Sequence, residues 1–521
     1  MNLNISPRMK YLTTLAIMAV GVGCSDLKEN PDFINPNTFY KSANELKLGV
    51  NGVYDDLNSG YSGYFYDRYV FECLAGDQIG WEKGPLQYNL GNVSSADEYI
   101  EAYWQISYRS INRANAVIET ADAMKDPTND ALIKRLKAEA QFLRAFYYYG
   151  LLSYFDNPPL TTKSTEGIND LPSNSGGKRA VIDQIYADTK AAFDVLPASY
   201  TGADAGRATK WAAKTILMKA QLWDEKWAEA KATAEDIINN SGLQLYDNFA
   251  YNFDLAHENQ GERIFEAQVS AGANSNEWSV HSGHFNPEDY PSELGGSGWS
   301  WLSATQEFRA SYDSKDKRID GTFIESYQTG RFGKIDGQYP TVKWSPTADF
   351  NLSRFGGVVR TDANPRDPAQ MVFGKAWSAK LVELGINYNN TERNTIYLRL
   401  ADVLLGHSEA CNESGQGDKF MGINKVRSRA ALEPLSGLSQ SALRDAIIKE
   451  REKEFVFEQV MYPELRRKSK FGGQPDYLGD HIKHFISKYS VGRTLKARDY
   501  VLPLPLKEIQ GNPNVKQNPE W

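Results

Sequence analysis

The sequence predicts a mainly α-helical protein in which pairs of helices form a scaffold and a large, irregular, loop-rich segment packs against it. Apolar residues recur every three or four positions over residues 99–240 and again over residues 395–460, which is the period of amphipathic helices. Between these parts, residues 242–394 are rich in Gly, Ser, Asn, Asp and Pro and show no long helical period. We therefore expect two stretches of scaffold separated by one long insertion.

The strongest helical pattern covers residues 99–124 and 136–154. In the second of these, Leu136, Leu143 and Tyr147 fall on one face, and the sequence Asp-Asn-Pro-Pro that follows ends the helix. Because the link at residues 125–130 is short and contains a proline, we expect the two helices to form an antiparallel hairpin.

The same period predicts further helices at residues 181–196, 208–223, 226–240, 395–411, 419–431 and 441–458. The spacing of Trp, Tyr and Ala in these pairs looks like that of tetratricopeptide units in degenerate form, and such units stack because one pair cannot bury its apolar face alone. The tail at residues 500–521 is proline-rich and is predicted to be extended. Two groups of side chains on the helix faces are predicted to have structural roles. Those predicted to pack in the core are Tyr147, Tyr148, Tyr149, Trp211, Trp223 and Trp227. Those predicted to form ion pairs are Glu450, Arg451 and Glu454.

The N-terminus carries a secretory signal. Arg8 and Lys10 precede a short apolar run at residues 11–20, which is too short to span a bilayer, and small residues lead to Cys24. A cysteine at this point makes the segment look like a bacterial lipoprotein signal, with cleavage after residue 23 and acylation of Cys24; the alternative is an ordinary signal peptide with a chance cysteine. The acidic run at residues 25–29 resembles an export tag that takes lipoproteins to the surface of Bacteroidetes-type bacteria.

Composition limits the classes of function. The chain has 521 residues and a net charge of −8, and it shows no basic patch, which argues against a nucleic-acid partner. Residues 24–521 are long enough for one large domain, which is the division we predict. Beyond Cys24, only Cys73 and Cys411 remain, so the protein is not a disulfide scaffold, and two separate buried thiols are favoured over one bridge.

The usual catalytic motifs are absent from the sequence. There is no Gly-x-Ser-x-Gly, and His257 has no second histidine four residues later, as a zinc protease would need. His281 and His284 lie in a Gly/Ser-rich stretch without a nearby cysteine, so we predict no metal and no cofactor. With 66 Asp and Glu residues, however, a carboxylate pair for glycoside hydrolysis remains an alternative.

Aromatic residues in the irregular parts are the best candidates for ligand contact. A sugar ring has an apolar face that packs on a flat aromatic ring and hydroxyl edges that need polar partners. Trp299 and Trp301 have the same parity, so in an extended segment both would face the same way. The alternative for each tryptophan is packing in the core of the irregular segment.

Several sequence blocks together resemble the RagB/SusD family. The blocks occur in the order in which the family has them, and together they are far more specific than any one block alone. They are INRAN at residues 111–115, AEAQFLRAFYYY at 138–149 with PPL at 158–160, YLRLADVLL at 397–405, NKVRSRA at 424–430, EREKEF at 450–455, and LPLP, EI, NPN and QNP within 502–519. One departure is visible at residues 461–467, where the family usually has Arg-Trp, an apolar residue and Asp. That departure puts local packing there in doubt.

The resemblance implies a cell-surface lipoprotein of the outer membrane that is anchored through Cys24, binds oligosaccharide or polysaccharide, and delivers it to a SusC-like TonB-dependent transporter without breaking bonds. Some members of the family import peptides instead, so the lid subunit of a peptide importer is a further alternative. By position within the family's ligand-side loops, six residues are carried over as glycan contacts: Asp77, Trp81, Trp278, Tyr290, Trp299 and Trp301.

Overall fold

The computed structural model describes residues 40–58, 64–75, 79–81, 87–165, 171–269, 287–294, 298, 302–346, 364–368, 372–373, 378–380, 393–489 and 491–521. The predicted signal peptide and Cys24 lie outside these residues. No helix in the described part is long and apolar enough to cross a membrane. Cys73 and Cys411 are both buried free thiols, as the sequence favoured.

Helices dominate the first half of the described chain. Their bounds are α1 Ala43–Asp55, α2 Tyr64–Glu72, α3 Gln87–Leu90, α4 Glu98–Ala123, α5 Asp130–Phe155, α6 Gly177–Val195, α7 Lys210–Trp223 and α8 Trp227–Asn240. Several begin at a side-chain cap that satisfies a free backbone N–H; for example, the Thr209 hydroxyl accepts from Ala212 N of α7. The helices predicted from periodicity in this half are confirmed to within a few residues, apart from an earlier start for α5.

The long helices stack in sequence order. α4 packs on α5, α5 on α6, α6 on α7, and α7 on α8. Ala212, Ala213 and Ala220 of α7 are completely buried, and small side chains at a contact allow close approach of neighbouring helices. The hairpin predicted for α4 and α5 is thus the start of a continuous helical array, which confirms the mainly α, tetratricopeptide-like fold class.

An aromatic cluster fills the space between α2, α4 and α5. The Tyr64 and Tyr103 rings are stacked with centroids 5.1 Å apart, and the Tyr147 ring meets Tyr64 edge-on at 4.9 Å. Tyr147 and Tyr148 are completely buried and Tyr149 nearly so, which confirms the packing role predicted for them. Trp211 is buried, whereas Trp223 and Trp227 pack partly buried against the core.

The described part of the middle segment contains short elements only. These are β1 Ile79–Trp81 (from the first half), β2 Arg263–Ala267, β3 Leu302–Ala304, α9 Gln306–Ala310, α10 Ile319–Thr322, β4 Ser326–Gln328, β5 Thr341–Trp344, β6 Val372–Phe373 and β7 Thr395–Arg399. β1 pairs with β3, β2 with β7, and β4, β5 and β6 form a three-stranded sheet in that order. The described part of the chain here therefore alternates between short strands, short helices and turns, in agreement with the loss of a long helical period.

The helix predicted at residues 395–411 is wrong over its first five residues. Thr395–Arg399 is β7, which pairs antiparallel with β2, and the helix begins at Leu400. Leu400, Ala401 and Leu404 do lie in the helix, whereas Tyr397 fits the helical period by coincidence, because a short apolar run is compatible with either a buried strand or a buried helix. The pairing partner of β7 lies more than a hundred residues earlier, which local periodicity does not detect.

The C-terminal helices complete the scaffold. They are α11 Leu400–Ser414, α12 Met421–Arg429, α13 Gln440–Phe455, α14 Met461–Arg467, α15 Tyr477–Lys488 and α16 Leu506–Gly511. α11 packs against α8, so the second helical stretch continues the array of the first. The tail is not extended throughout, as α16 shows: its first backbone N–H, that of Leu506, donates to Ser95 O and joins the tail to the segment before α4.

The stretch that departs from the family pattern is well packed. The Arg466 guanidinium donates to the carbonyls of Tyr500 and Leu152, at 2.6 and 2.9 Å. Arg467 pairs with both Glu409 and Glu464 at 2.6 Å. Residues 461–467 therefore reach buried partners with arginine side chains, which removes the doubt about local packing.

Candidate functional site

Two segments that the sequence nominates separately are joined by one antiparallel pairing. β1 (Ile79–Trp81) and β3 (Leu302–Ala304) form a two-stranded ribbon in which Ile79 faces Ala304, Gly80 faces Ser303, and Trp81 faces Leu302. We call this pairing the β1–β3 ribbon. Cross-strand neighbours in such a ladder lie about 4.5–5.5 Å apart. The main chain at Trp81 is therefore beside that of Leu302, the residue that follows Trp301 in the sequence.

The ribbon rests on a buried base. Leu302, Ser303 and Ala304 are each 1% exposed. The Asn89 side chain, also buried, donates to the carbonyls of Cys73 (3.2 Å) and Ile79 (3.4 Å), and so links the end of the preceding helical segment to β1. A strand of three residues has few ladder hydrogen bonds of its own, so this side-chain bridge helps to fix its position.

Glu72 lies in the base, at the end of α2. Its carboxylate accepts from the backbone N–H groups of Met461 (3.0 Å) and Tyr462 (3.2 Å), which are free because they open helix α14. Burial raises the pKa of the Glu72 carboxyl to about 7, although these two N–H groups and the Arg68 guanidinium act in the opposite direction. Glu72 therefore serves as a cap for α14 beneath the site, and it is only 4% exposed.

Tyr290 lies in a closed turn. The Pro287 carbonyl accepts from both Tyr290 N and Gly298 N, at 3.2 Å each, so the ends of this turn are held together. Tyr290 is 8% exposed, and burial raises the pKa of its hydroxyl. Since Gly298 directly precedes Trp299 in the sequence, the turn fixes where the chain enters the predicted tryptophan segment.

Asp289 ties this turn to the three-stranded sheet. Its carboxylate accepts from the Tyr327 hydroxyl of β4 and from the Thr329 hydroxyl, both at 2.8 Å, and its carbonyl accepts from Gly330 N at 2.6 Å. The Asp289 carboxylate also lies 3.8 Å from the Arg331 guanidinium, so its partners are two hydroxyl groups and one cation. Its role in the structure is to position the neighbouring Tyr290.

The structure describes two of the six predicted contact residues. Trp81 is in the β1–β3 ribbon by its main chain, and Tyr290 is in the closed turn. The other four, together with His281 and His284, lie outside the described residues: Asp77, Trp278, Trp299 and Trp301. All six therefore stay predictions as ligand contacts, and the low exposure of Tyr290 leaves little of its surface open to a ligand.

Sequence reasoning missed the pairing itself and the residues that support it. Asn89 and Asp289 are ordinary polar residues in irregular sequence, and nothing local predicts their partners. The apolar residues of β3 follow a Gly/Ser-rich stretch, which is a weak strand signal. Within the described part of the chain, no group of three or more His, Cys, Asp or Glu side chains is placed to hold a metal ion.

Comparison with protein families decides the membership of the chain. A family model described as "SusD family" matches residues 261–521. The chain belongs to the SusD family. A second model, described as "Starch-binding associating with outer membrane", matches residues 27–222. The family predicted from the sequence blocks is thereby confirmed.

Relatives in the SusD family match this chain over nearly its full length. SusD-like protein P2 of Formosa agariphila is 26% identical over 98% of this chain and 99% of its own length. A SusD-like protein of Bacteroides ovatus is 27% identical over 88% of this chain and 82% of its own length. The similarity therefore extends across both the scaffold and the irregular segment.

Solved SusD-family structures share the fold. A SusD homologue from Bacteroides thetaiotaomicron covers 95% of this chain and 100% of its own with a TM-score of 0.74 at 20% identity. A laminarin-binding SusD-like protein covers 92% and 99% with a TM-score of 0.69 at 21% identity. Surface glycan-binding protein A from Bacteroides thetaiotaomicron, solved with laminarihexaose, covers 91% and 99% with a TM-score of 0.70 at 19% identity.

Proposed function

We propose that this SusD-family protein captures oligosaccharide or polysaccharide at the surface of the outer membrane, where Cys24 anchors it, and delivers the glycan to a SusC-like TonB-dependent transporter without cleaving it. The observation that carries the proposal is the β1–β3 ribbon. It brings the main chain of Ile79–Trp81 beside Leu302, the residue that follows Trp301, so that two segments from distant parts of the chain form one region.

A platform of this kind suits a sugar chain. Aromatic rings on a fixed base present flat apolar surfaces to the C–H faces of pyranose rings, and neighbouring polar groups satisfy the hydroxyls. The buried ribbon, the Asn89 bridge and the closed turn at Tyr290 supply such a base. The names of two structural relatives, which refer to laminarin and laminarihexaose, support a glycan as the ligand class.

Two described carboxylates close to the platform segments, those of Glu72 and Asp289, support binding over hydrolysis. Glycosidases generally need two carboxyl groups about 5–9.5 Å apart that flank the substrate. Glu72 has the raised pKa of a general acid, but it is buried and caps α14. The Asp289 carboxylate accepts from two hydroxyls of the sheet region. Both groups thus have structural work that accounts for their positions.

Two further parts of the proposal, delivery of the glycan to a transporter and location at the outer membrane, are supported by the sequence and by the family. The lipoprotein signal predicts the anchor on Cys24, and the description of the matching family model, "associating with outer membrane", supports that membrane as the location. The transporter partner is proposed because members of the family act as lids on such transporters. A pull-down of the lipid-anchored protein from outer membranes is expected to recover a TonB-dependent barrel.

The first experiment uses the protein from Ser25 onward, which contains every described element. It is screened by affinity electrophoresis and calorimetry against a panel of polysaccharides and peptides, while reducing ends are followed in the same samples. We expect polysaccharide binding without new reducing ends, weakened at least tenfold in Trp81→Ala and Trp301→Ala but unchanged in Trp227→Ala, a matched control on the scaffold helix α8.

Each other result contradicts part of the proposal. New reducing ends that disappear with a single Asp or Glu substitution would replace capture by glycoside hydrolysis. Binding of peptides alone would make the protein the lid of a peptide importer. Glycan binding that is equally strong in all three tryptophan variants would show that the platform is not the binding site.

A further inference from the structure

A second cavity lies on the helical scaffold, apart from the residues of the β1–β3 ribbon. Its volume is about 430 Å³, which is within the range of about 300–1,000 Å³ for small-ligand sites. Three chain segments surround it: the link between α6 and α7, the residues just after α8, and the residues that lead into β2. The lining includes Tyr200, Arg207, Trp211, Gln244, Gln260 and Arg263. We call it the scaffold cavity.

One wall of the scaffold cavity is fixed by hydrogen bonds within the protein. Tyr246 donates from its hydroxyl to Gln260 O at 2.7 Å, and Gly261, with φ of +63°, leaves room for the Tyr246 ring where a Cβ atom would collide with it. On the same wall, the Asn259 and Gln268 side-chain amides pair with each other at 2.7 and 2.9 Å. A preformed wall reduces the conformational entropy that the protein loses when a ligand binds.

The positive charges at the cavity are already neutralised. Arg207 donates to Glu139 at 2.8 Å, to Asp204 at 3.0 Å and to Asn51 at 2.6 Å. Arg263 donates to Glu266 at 3.1 Å and to two backbone carbonyls. Glu266, the third charged lining residue, is the partner of Arg263. Each charged side chain among the described lining residues therefore has its counter-charge, and this favours a neutral ligand over an anion or a cation.

The remaining polar groups suit hydroxyls. Gln244 is exposed, and its amide makes no hydrogen bond to any described residue; Gln260 uses one N–H on the Ala256 carbonyl and keeps its amide oxygen. The Tyr200 hydroxyl and the Trp211 indole N–H are buried without a hydrogen-bond partner among the described residues. Unpaired buried polar groups are rare in folded proteins. Both residues line the scaffold cavity, and each would have to turn toward it to donate to a ligand oxygen.

We propose that the scaffold cavity binds a neutral mono- or disaccharide, as a second site in addition to the glycan platform at the β1–β3 ribbon. A pyranose has the size, the absence of charge and the many hydroxyls that this lining fits. The ligand is expected to bind weakly and to exchange fast, because the cavity is open to solvent and supplies neutral hydrogen bonds.

The link between α6 and α7 offers a matched pair of variants. Ala205 lines the cavity, whereas Ala203, two residues earlier, does not, and both are exposed, so that a larger side chain at either position needs no repacking of the core. Ala205→Trp is designed to fill the cavity and Ala203→Trp to serve as its control. Far-ultraviolet circular dichroism and unfolding midpoints check that both variants keep the fold.

Binding is measured by saturation-transfer NMR and by titration of the Trp and Tyr side-chain signals, with methyl β-D-glucopyranoside and cellobiose as neutral probes and glucuronate as a charged one. We expect at least one neutral probe to bind, its affinity to fall at least tenfold in Ala205→Trp, and Ala203→Trp and Trp301→Ala to bind as the unmodified protein does.

The proposal is overturned if neither neutral probe binds, if glucuronate binds more tightly than both, or if Ala205→Trp binds unchanged. Loss of binding in Trp301→Ala alone would assign all saccharide affinity to the platform, so that the proposed function would stand without a second site. Binding that survives Trp301→Ala and is lost in Ala205→Trp supports the scaffold cavity whatever the fate of the platform.

Discussion

The guanidinium of Arg399 lies 2.5 Å from the carboxylate of Glu454, and the two side chains are 1% and 0% exposed. Glu454 also pairs with Arg318 at 3.1 Å and with Arg429. Burial alone would raise the pKa of Glu454, but the three guanidinium groups outweigh it and hold the pKa far below its usual range. Strand β7, helices α12 and α13 and the segment before α10 therefore meet at one ionised carboxylate.

Glu454→Gln is expected to lower the free energy of unfolding by about 3–5 kcal/mol, because it removes the buried carboxylate that three buried guanidinium groups share. Urea unfolding followed by circular dichroism measures the change. Glu433→Gln, at an exposed glutamate in the link before α13, is the control and should stay within about 0.5 kcal/mol of the unmodified protein. Equal stability of the two variants would show that the buried network contributes nothing.

Glu72→Gln tests the buried carboxyl beneath the platform. The folded pKa of Glu72 is raised to about 7, whereas an unfolded glutamate titrates near about 4.3. The protonated form therefore stabilises the fold below the unfolded value, and this stabilisation is lost as pH rises through 7. We expect Glu72→Gln to flatten the dependence of unfolding free energy on pH between 5 and 8 by roughly 2 kcal/mol. An unchanged slope would contradict a raised pKa.

Asp289→Ala tests whether the turn around Tyr290 belongs to the glycan platform. The substitution removes the acceptor for two hydroxyl donors, Tyr327 and Thr329, and leaves the turn joined to Gly330 by its backbone hydrogen bond alone. We expect glycan affinity to fall several-fold, while stability falls by only about 1–3 kcal/mol. Thr329→Val deletes one of the two hydrogen bonds and should give a smaller effect on affinity. Full affinity in Asp289→Ala would exclude the turn from the site.

Gly422→Ala and Gly52→Ala should change stability in opposite directions. A Cβ atom at Gly422 of α12 would overlap the Leu404 carbonyl oxygen of α11, so the two helices would have to separate. We expect a loss of about 1–3 kcal/mol. At Gly52 of α1 a Cβ atom meets nothing within 4 Å, so alanine should stabilise the helix by about 0.5–1 kcal/mol. Thermal unfolding measures both, and the same sign for both would contradict the packing described.

The sequence predicts the scaffold well because the local spacing of apolar residues determines which face of a helix packs against its neighbours. The apolar residues at intervals of three and four in α4 and α5 are buried as expected, although α5 also buries nearly all its other residues from Ala138 onward. The charged triplet Glu450, Arg451 and Glu454 forms ion pairs as expected. Tyr147 and its two neighbours are likewise buried in the helix contacts.

The candidate site is less predictable, because its geometry depends on partners that lie far away in the chain. Nothing in the composition of Ile79–Trp81 indicates that it pairs with Leu302–Ala304, and nothing near Asp289 indicates Tyr327. The same limit explains the error at Thr395–Arg399, which looks helical until β2 is known to lie beside it. Aromatic residues in irregular sequence identify a candidate region, but the pairing assembles it.

The pairing of Ile79 with Ala304 has a consequence for the order of folding. Helices α4 to α8 contact their neighbours in sequence and can form early, whereas the ribbon must close a loop of more than two hundred residues, and such closure is slow. A chain still emerging from a membrane pore has no ribbon until residue 304 has passed through. The glycan platform proposed at the β1–β3 ribbon is therefore completed at a late stage of maturation, whereas the residues that line the scaffold cavity all precede residue 267.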